Sequence, residues 1–268
     1  MKITLITCTY NAEAVLQRTL DSVQKQTYAD IEHLIIDGCS KDATMTMAQR
    51  YCDASETLHN GHAVVVRSEP DKGLYDAMNK GLRMATGDVV GILNADDMMN
   101  SSHALFDAMQ PFLLDSSLDM VYSDVRFVSH DMRLDGLDSG KTVRYIKPAK
   151  WHPWMLQWGI APPHPGIYVK RRCFEEWGYY YPNYEITSDY EMVIRFVRKH
   201  CCKAIYLPTC SVAMRLGGKS TRGWRPVWLQ NNEIVDANRR NGYFCCISMM
   251  VPKYLFKIFE FIGKGKRK

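Results

Sequence analysis

The chain has 268 residues, 46% of them hydrophobic, enough to bury a sizeable core as one large α/β unit or two small ones. Its formal charge is +5, but residues 253 to 268 hold six basic groups (Lys253, Lys257, Lys264, Lys266, Arg267, Lys268) against one acid, Glu260, so the rest of the chain is neutral. A neutral body lacks the basic face that duplex binding requires, and no nucleic-acid partner is expected. Nine cysteines without a CxxC pair or an apolar leader read as reduced thiols of a cytoplasmic protein rather than a disulfide framework.

KITLITCTY is a β-branched run, and NAEAVLQRTLDSVQKQ after it has helical spacing, so the chain opens as a strand entering a helix. Apolar runs follow at 31 to 38, 63 to 68, 88 to 94 and 118 to 124, separated by helical stretches at 41 to 52, 73 to 86 and 101 to 114. That alternation predicts an α/β fold with a mostly parallel sheet flanked by helices and right-handed crossovers. Residues 125 to 150 are polar and suit a hairpin or loop. Further on, a helix is expected at 188 to 200, a strand near 204 to 207 and a helix at 224 to 242. The expected organisation is one unit over 1 to 222, with halves near 1–124 and 125–222, and a C-terminal helical appendage over 223 to 268.

Open parallel sheets bind ligands beyond the carboxyl ends of their strands, so the polar residues after each apolar run are the first suspects. These are Thr9-Tyr10-Asn11, Asp37-Gly38, Glu69-Pro70-Asp71 and Asn94-Ala95-Asp96-Asp97. Acids gather there, and a divalent cation or ribose hydroxyls would relieve their repulsion. Asp96 and Asp97 suit Mn2+ or Mg2+ completed by phosphate oxygens, or they serve as the acidic start of the next helix. Asp37 either accepts from a base or ribose hydroxyl or shapes the turn with Gly38.

In DKGLYDAMNKG, Asp71, Lys72 and Asp76 frame a ligand or form a solvated first turn. SDYE at 188 to 191 has the capping-box pattern, with Ser188 as the cap and Glu191 reaching back to it. Asp189 is then the freer carboxylate, a base for a hydroxyl or an ordinary first-turn acid. LGGKS at 216 to 220 lacks the upstream glycine of a phosphate loop, where Ala213 stands, but its glycines and Lys219 suit a diphosphate or a plain turn. No GxGxxG follows the first strand and no GxSxG elbow occurs, against a dinucleotide-dependent dehydrogenase and an α/β-hydrolase. His59 and His62 lack a third metal ligand nearby and read as a surface loop.

From residue 3 to about 221 the chain resembles the family-two glycosyltransferases of the GT-A fold, in particular bacterial enzymes that build surface polysaccharides. ITCTYNAE is similar to the opening strand and nucleotide loop, IIDGCSKDAT to the segment whose Asp37 contacts the nucleotide, and SEPDKGLYDAMNKG to a run typical of one branch. GDVVGILNADD matches the metal motif, although Asn94 and Ala95 depart from a strict DxD. The resemblance implies Asp97 as main metal ligand, Asp96 near ribose and metal, and donor-site roles for Asp71 and Lys72. It also places His164 and Glu191 on the acceptor side, Asp189 as the base, and Lys219 near the diphosphate. The reaction implied is inverting transfer of a sugar from a nucleoside-diphosphate donor, UDP-linked by family habit, to a glycan or lipid-linked acceptor.

KYLFKIFEFI at 253 to 262 puts Lys253, Lys257 and Glu260 on one stripe of an otherwise apolar helix, and the basic residues after it add attraction to anionic lipid. The expectation is peripheral contact at the cytoplasmic face of the inner membrane, against the alternative of a helix packed on the domain. Two rival functions are a sugar nucleotidylyltransferase, whose glycine-rich opening loop is missing, and an inactive transferase or glycan-binding module.

Overall fold

The computed structural model describes residues 1–58, 60–129, 141–216, 224–251 and 253. Strands β1 (Ile3–Thr9), β2 (Ile31–Asp37), β3 (His62–Ser68) and β4 (Val89–Ile92) alternate with helices α1 (Leu16–Gln24), α2 (Thr44–Leu58) and α3 (Leu74–Met84). These four strands lie side by side in the order β3-β2-β1-β4, all parallel. β2 is buried along its whole length, as expected of a strand covered on both faces. Leu16, Leu20 and Val23 recur at helical spacing and pack α1 down with no exposure. On the other face α3 sits so close that a Cβ at Gly81 would meet the Ile6 side chain at 2.6 Å.

The second half of the sheet is mixed rather than parallel. β5 (Met98–Met99) and α4 (Ala104–Leu114) lead to β6 (Met120–Val128), which runs in the same sense as β4 but does not touch it. β8 (Ile167–Lys170) is inserted between them, antiparallel to both. β7 (Thr142–Ile146) makes a hairpin partner for β6, and β9 (Ala204–Arg215) pairs with β6 in parallel and with β5 antiparallel. The short IYVK run of β8 carries no local mark of direction, and its pairing is a tertiary choice.

The stretch expected as one helix at 188 to 200 divides into α6 (Ser188–Val193) and a π-helical turn over Ile194–Lys199. α5 (Arg171–Trp177) precedes it, and α7 (Trp224–Arg240) packs against α6. No helix among the described residues is long and apolar enough to cross a membrane. Lys219 and residues 254 to 268, and with them most of the predicted amphipathic tail, lie outside the described residues, as does His59. His62 is not in a surface loop: it opens β3, is buried, and its Nε2 lies 3.1 Å from the Tyr28 carbonyl.

Candidate active site

The carboxyl ends of β1 and β2 bring Thr9 and Asp37 into register. Asp37 is fully buried and accepts from the Thr9 hydroxyl at 2.9 Å, the Ser40 amide at 2.9 Å, the Ser40 hydroxyl at 2.5 Å and the Ser68 hydroxyl at 2.8 Å. Burial alone would raise its pKa, but the Ser40, Ser68 and Thr9 bonds outweigh it and hold the carboxyl below its ordinary value. Asn11, in the left-handed region at φ 47°, receives the Lys41 amide on Oδ1 and donates its own amide to Ser40 Oγ. Thr9 and Asn11 therefore build the loop, whereas Tyr10 is 60% exposed and free to stack on a planar ring.

Asp71 joins this group from the loop after β3. The absent side chain of Gly38 makes room for its carboxylate and for the Tyr10 ring, which lies 3.4 Å from where a Cβ would stand. Asp71 Oδ1 accepts from the Gly73 amide at 2.9 Å. Asp76 is spent on the turn itself, receiving the Lys72 amide at 3.0 Å and facing Lys80 at 3.7 Å. The Lys72 side chain is exposed beside them.

After β4, the Asn94-Ala95-Asp96-Asp97 turn is pinned from α1, whose Thr19 hydroxyl lies 2.8 Å and 2.7 Å from the carbonyls of Ala95 and Asp97. Asp97 is 2% exposed, and Asn94 Nδ2 donates to its Oδ2 at 2.9 Å. Burial, and then the charge of Asp96, push its pKa up to about 7 against the opposing bonds from Asn94 and the Arg215 amide. β5 intervenes before α4, so the two acids do not form a helical first turn, and the helix-start reading falls. A desolvated acid beside a second, partly exposed acid is an arrangement that a divalent cation relieves. Among the described residues no third His, Cys, Asp or Glu joins them, so the remaining ligands of such a cation must come from elsewhere.

Asp189, on the first turn of α6, faces the same region. Its Oδ1 accepts from its neighbour's amide, Tyr190, at 2.9 Å and from the Tyr75 hydroxyl at 3.1 Å, while Oδ2 accepts no bond among the described residues. His164 Nε2 lies 2.8 Å from the Tyr180 hydroxyl, and Tyr75 and Tyr180 pack with ring centroids 5.8 Å apart. Burial lowers the His164 pKa despite the opposing charge of Asp189, so this imidazole is neutral at pH 7. Burial raises both phenols well above their ordinary value, and Asp189 adds to the effect on each. The Cys8 thiol is raised by burial and then by the charge of Asp71 and stays neutral beside it.

The capping box does not form. Thr187 is the N-cap without a side-chain bond, and the Ser188 hydroxyl is buried with no partner among the described residues. Glu191 instead meets Arg195 at 2.9 Å and accepts from Asn241 at 3.1 Å, turned away from the helix start. The amides before α6 are satisfied by Glu233 of α7, which accepts from Glu185 N, Ile186 N, Thr187 N and Thr187 Oγ1 at 2.7 to 3.0 Å. Sequence reading missed Glu233, Tyr180 and Thr19. An acid 46 to 48 positions beyond the amides it caps leaves no local signal, and Tyr180 sits in a run of three tyrosines.

Residues 4–178 match the model of Glycosyl transferase family 2. The chain belongs to this family. A PGL/p-HBAD biosynthesis glycosyltransferase of Mycobacterium bovis is 30% identical over 191 residues, 71% of this chain and 68% of the relative. The mannosyltransferase PcManGT from Pyrobaculum calidifontis, solved with GDP-Man and Mn2+, has a TM-score of 0.64 at 20% identity and covers 89% of this chain, which spans 63% of that one. S. aureus TarS 1-349 with UDP-GlcNAc gives 0.58 at 16%, over 89% of this chain and 68% of that structure. These likenesses show the glycosyltransferase GT-A fold: a mixed α/β sheet flanked by helices.

Proposed function

We propose that this family-two glycosyltransferase moves one sugar, with inversion, from a nucleoside-diphosphate sugar to a glycan or lipid-linked acceptor in surface-polysaccharide synthesis. One observation carries the reading: Asp37 ends β2, Asp71 and Asp97 follow β3 and β4, and Asp189 is bonded to Tyr75 on the first turn of α3, so acids from four separate segments stand at the carboxyl end of the parallel strands. Tyr10 and Asp71 receive the nucleoside, with the buried Asp37, Thr9 and Asn11 shaping their loop and Lys72, with Lys219 by sequence, assigned to the phosphates. Asp97, with Asp96, would hold Mn2+ or Mg2+, which offsets charge on the departing diphosphate. Asp189 accepts the acceptor hydroxyl's proton on Oδ2, the oxygen left free, while Tyr75 fixes the carboxylate through Oδ1. His164, neutral and bonded to Tyr180, lines the acceptor side, and Glu191 supports that wall through Arg195.

UDP-GlcNAc and GDP-Man, the donors seen in the TarS and PcManGT structures, define the first donors to try. Peripheral membrane contact at the cytoplasmic face, through residues 253 to 268, is part of the same reading. Support comes from exposed Trp154, Trp228, Phe244, Ile247 and Val251 on the segments that pack together just before that tail. The test is donor hydrolysis and transfer with and without Mn2+. The expected result is metal-dependent turnover, lost in Asp189→Asn while donor binding persists; donor-independent behaviour of both proteins would defeat the proposal.

A further inference from the structure

Behind the wall that carries Tyr180 lies a second cleft of about 440 Å3, between α3, residues 177 to 182, the helical segment 188 to 199 and the end of α7. Its floor is the Glu191–Arg195 pair. Arg195 Nε donates to both Glu191 oxygens at 3.0 and 3.2 Å, and its other nitrogens donate to the carbonyls of Trp177, Gly178 and Tyr179 at 2.5, 2.6 and 2.7 Å. Arg195 is thus saturated and structural, and the acid on the floor is neutralised.

The rim differs. Arg83 lies 5.1 Å over the Tyr179 ring and Arg240 4.5 Å over the Tyr181 ring. Arg240 is paired with Asp236 at 2.7 Å, but Arg83 and Lys199 make no ion pair among the described residues. Asp76, the other acid at the cleft, is engaged by Lys80. Every carboxylate of the cleft therefore has a partner, whereas two exposed cations of its lining, Arg83 over the Tyr179 ring and Lys199, pair with no carboxylate among the described residues.

We infer that this cleft binds an anionic saccharide unit, carboxylate- or phosphate-bearing, of the acceptor chain. A guanidinium fork and an ammonium group match such an anion, and tyrosine edges and hydroxyls suit a polyhydroxylated ring beside it. The volume falls within the roughly 300–1,000 Å3 of small-ligand sites. Tyr179 and Tyr181 are the immediate neighbours of Tyr180, whose hydroxyl meets His164 and whose backbone is held on both sides by Asn79 at 2.8 and 2.9 Å. A sugar bound here grips the back of the wall whose front faces Asp189.

The assignment of the ligand to the acceptor rests on the transferase reading, but the binding does not, and it is measured without donor. Tetragalacturonate is titrated calorimetrically into the full chain and into the double variant Arg83→Gln/Lys199→Gln, with maltotetraose, inorganic phosphate and a tetranucleotide of thymidine as competitors. The expected result is saturable binding of tetragalacturonate, weakened at least tenfold in the variant, with no binding of maltotetraose. Melting temperature and donor hydrolysis should stay at wild-type values. No binding to wild type, equal binding by the variant, or equal competition by phosphate or the tetranucleotide overturns the inference. Loss of donor hydrolysis in wild type with retained tetragalacturonate binding would sink the transferase reading and leave the anionic saccharide site standing.

Discussion

Glu233 on α7 accepts both the amide and the hydroxyl of Thr187 at 2.9 Å, two residues before Asp189. Its two oxygens also take the amides of Glu185 and Ile186, so a carboxylate from outside the sheet supplies the N-terminal anchor of the helix that bears the proposed base. Removing it in Glu233→Ala orphans three amides and should cost roughly 2–4 kcal/mol of stability. Turnover should fall further than donor affinity, because Asp189 loses its fixed position. Urea unfolding alongside kcat and KM checks both parts, and wild-type turnover in a measurably destabilised variant would refute the positioning role.

Much of the first half of the fold is legible in the sequence, and for a physical reason. β1 to β4 are apolar runs ended by polar residues, so fold class and the acids at the strand ends both follow from local pattern. The second half is governed by pairings between distant segments. β8 enters antiparallel between β4 and β6, and SDYE looks like a capping box only until Arg195 and Glu233 compete for its groups. In each case the deciding partner lies outside the window that a local motif can see.

Tyr75 offers its hydroxyl to Asp189 Oδ1 and to the Ile186 carbonyl, at 3.1 and 2.7 Å. The bond to Asp189 is one of the two that anchor its Oδ1, so Tyr75→Phe should leave the carboxylate less well oriented. The turnover number kcat should fall by about tenfold, the equivalent of ~1.4 kcal/mol, with KM for the donor unchanged. Wild-type kcat in Tyr75→Phe would remove Tyr75 from the positioning of Asp189.

His33 is fully buried between the Thr7 and Tyr51 hydroxyls, and burial lowers its pKa to about 3. A depressed histidine stays neutral in the fold but protonates in the unfolded chain below its ordinary value of 6.5. The unfolded state then binds the extra proton, so stability is full above about 6.5 and declines as pH falls toward 3. The slope should approach about 1.4 kcal/mol per pH unit in that window. Asp37, held below its ordinary value, contributes in the same direction, its stability being lost as pH falls through its lowered pKa. Chemical denaturation at pH 7, 6 and 5 reads the sum; His33→Gln should flatten it if the imidazole is responsible, and an unchanged slope would assign it elsewhere.

Phe244 is 74% exposed and stands on the segment next to Gln157, whose side chain donates to its carbonyl at 2.9 Å. If this face meets lipid, Phe244→Asp should reduce co-sedimentation with vesicles containing anionic lipid by several-fold and leave the melting temperature unchanged. Binding that is equal for both proteins, or equal with neutral vesicles, would remove the face from the membrane account.

The most direct measurement is a thermal-shift panel of UDP-, GDP- and dTDP-sugars, with and without Mn2+, on the wild type and on Asp97→Ala. The account predicts stabilisation by one donor that requires the metal in the wild type and disappears in the variant. No stabilisation by any donor, with the two proteins indistinguishable, would contradict the metal-bound donor site at Asp96 and Asp97.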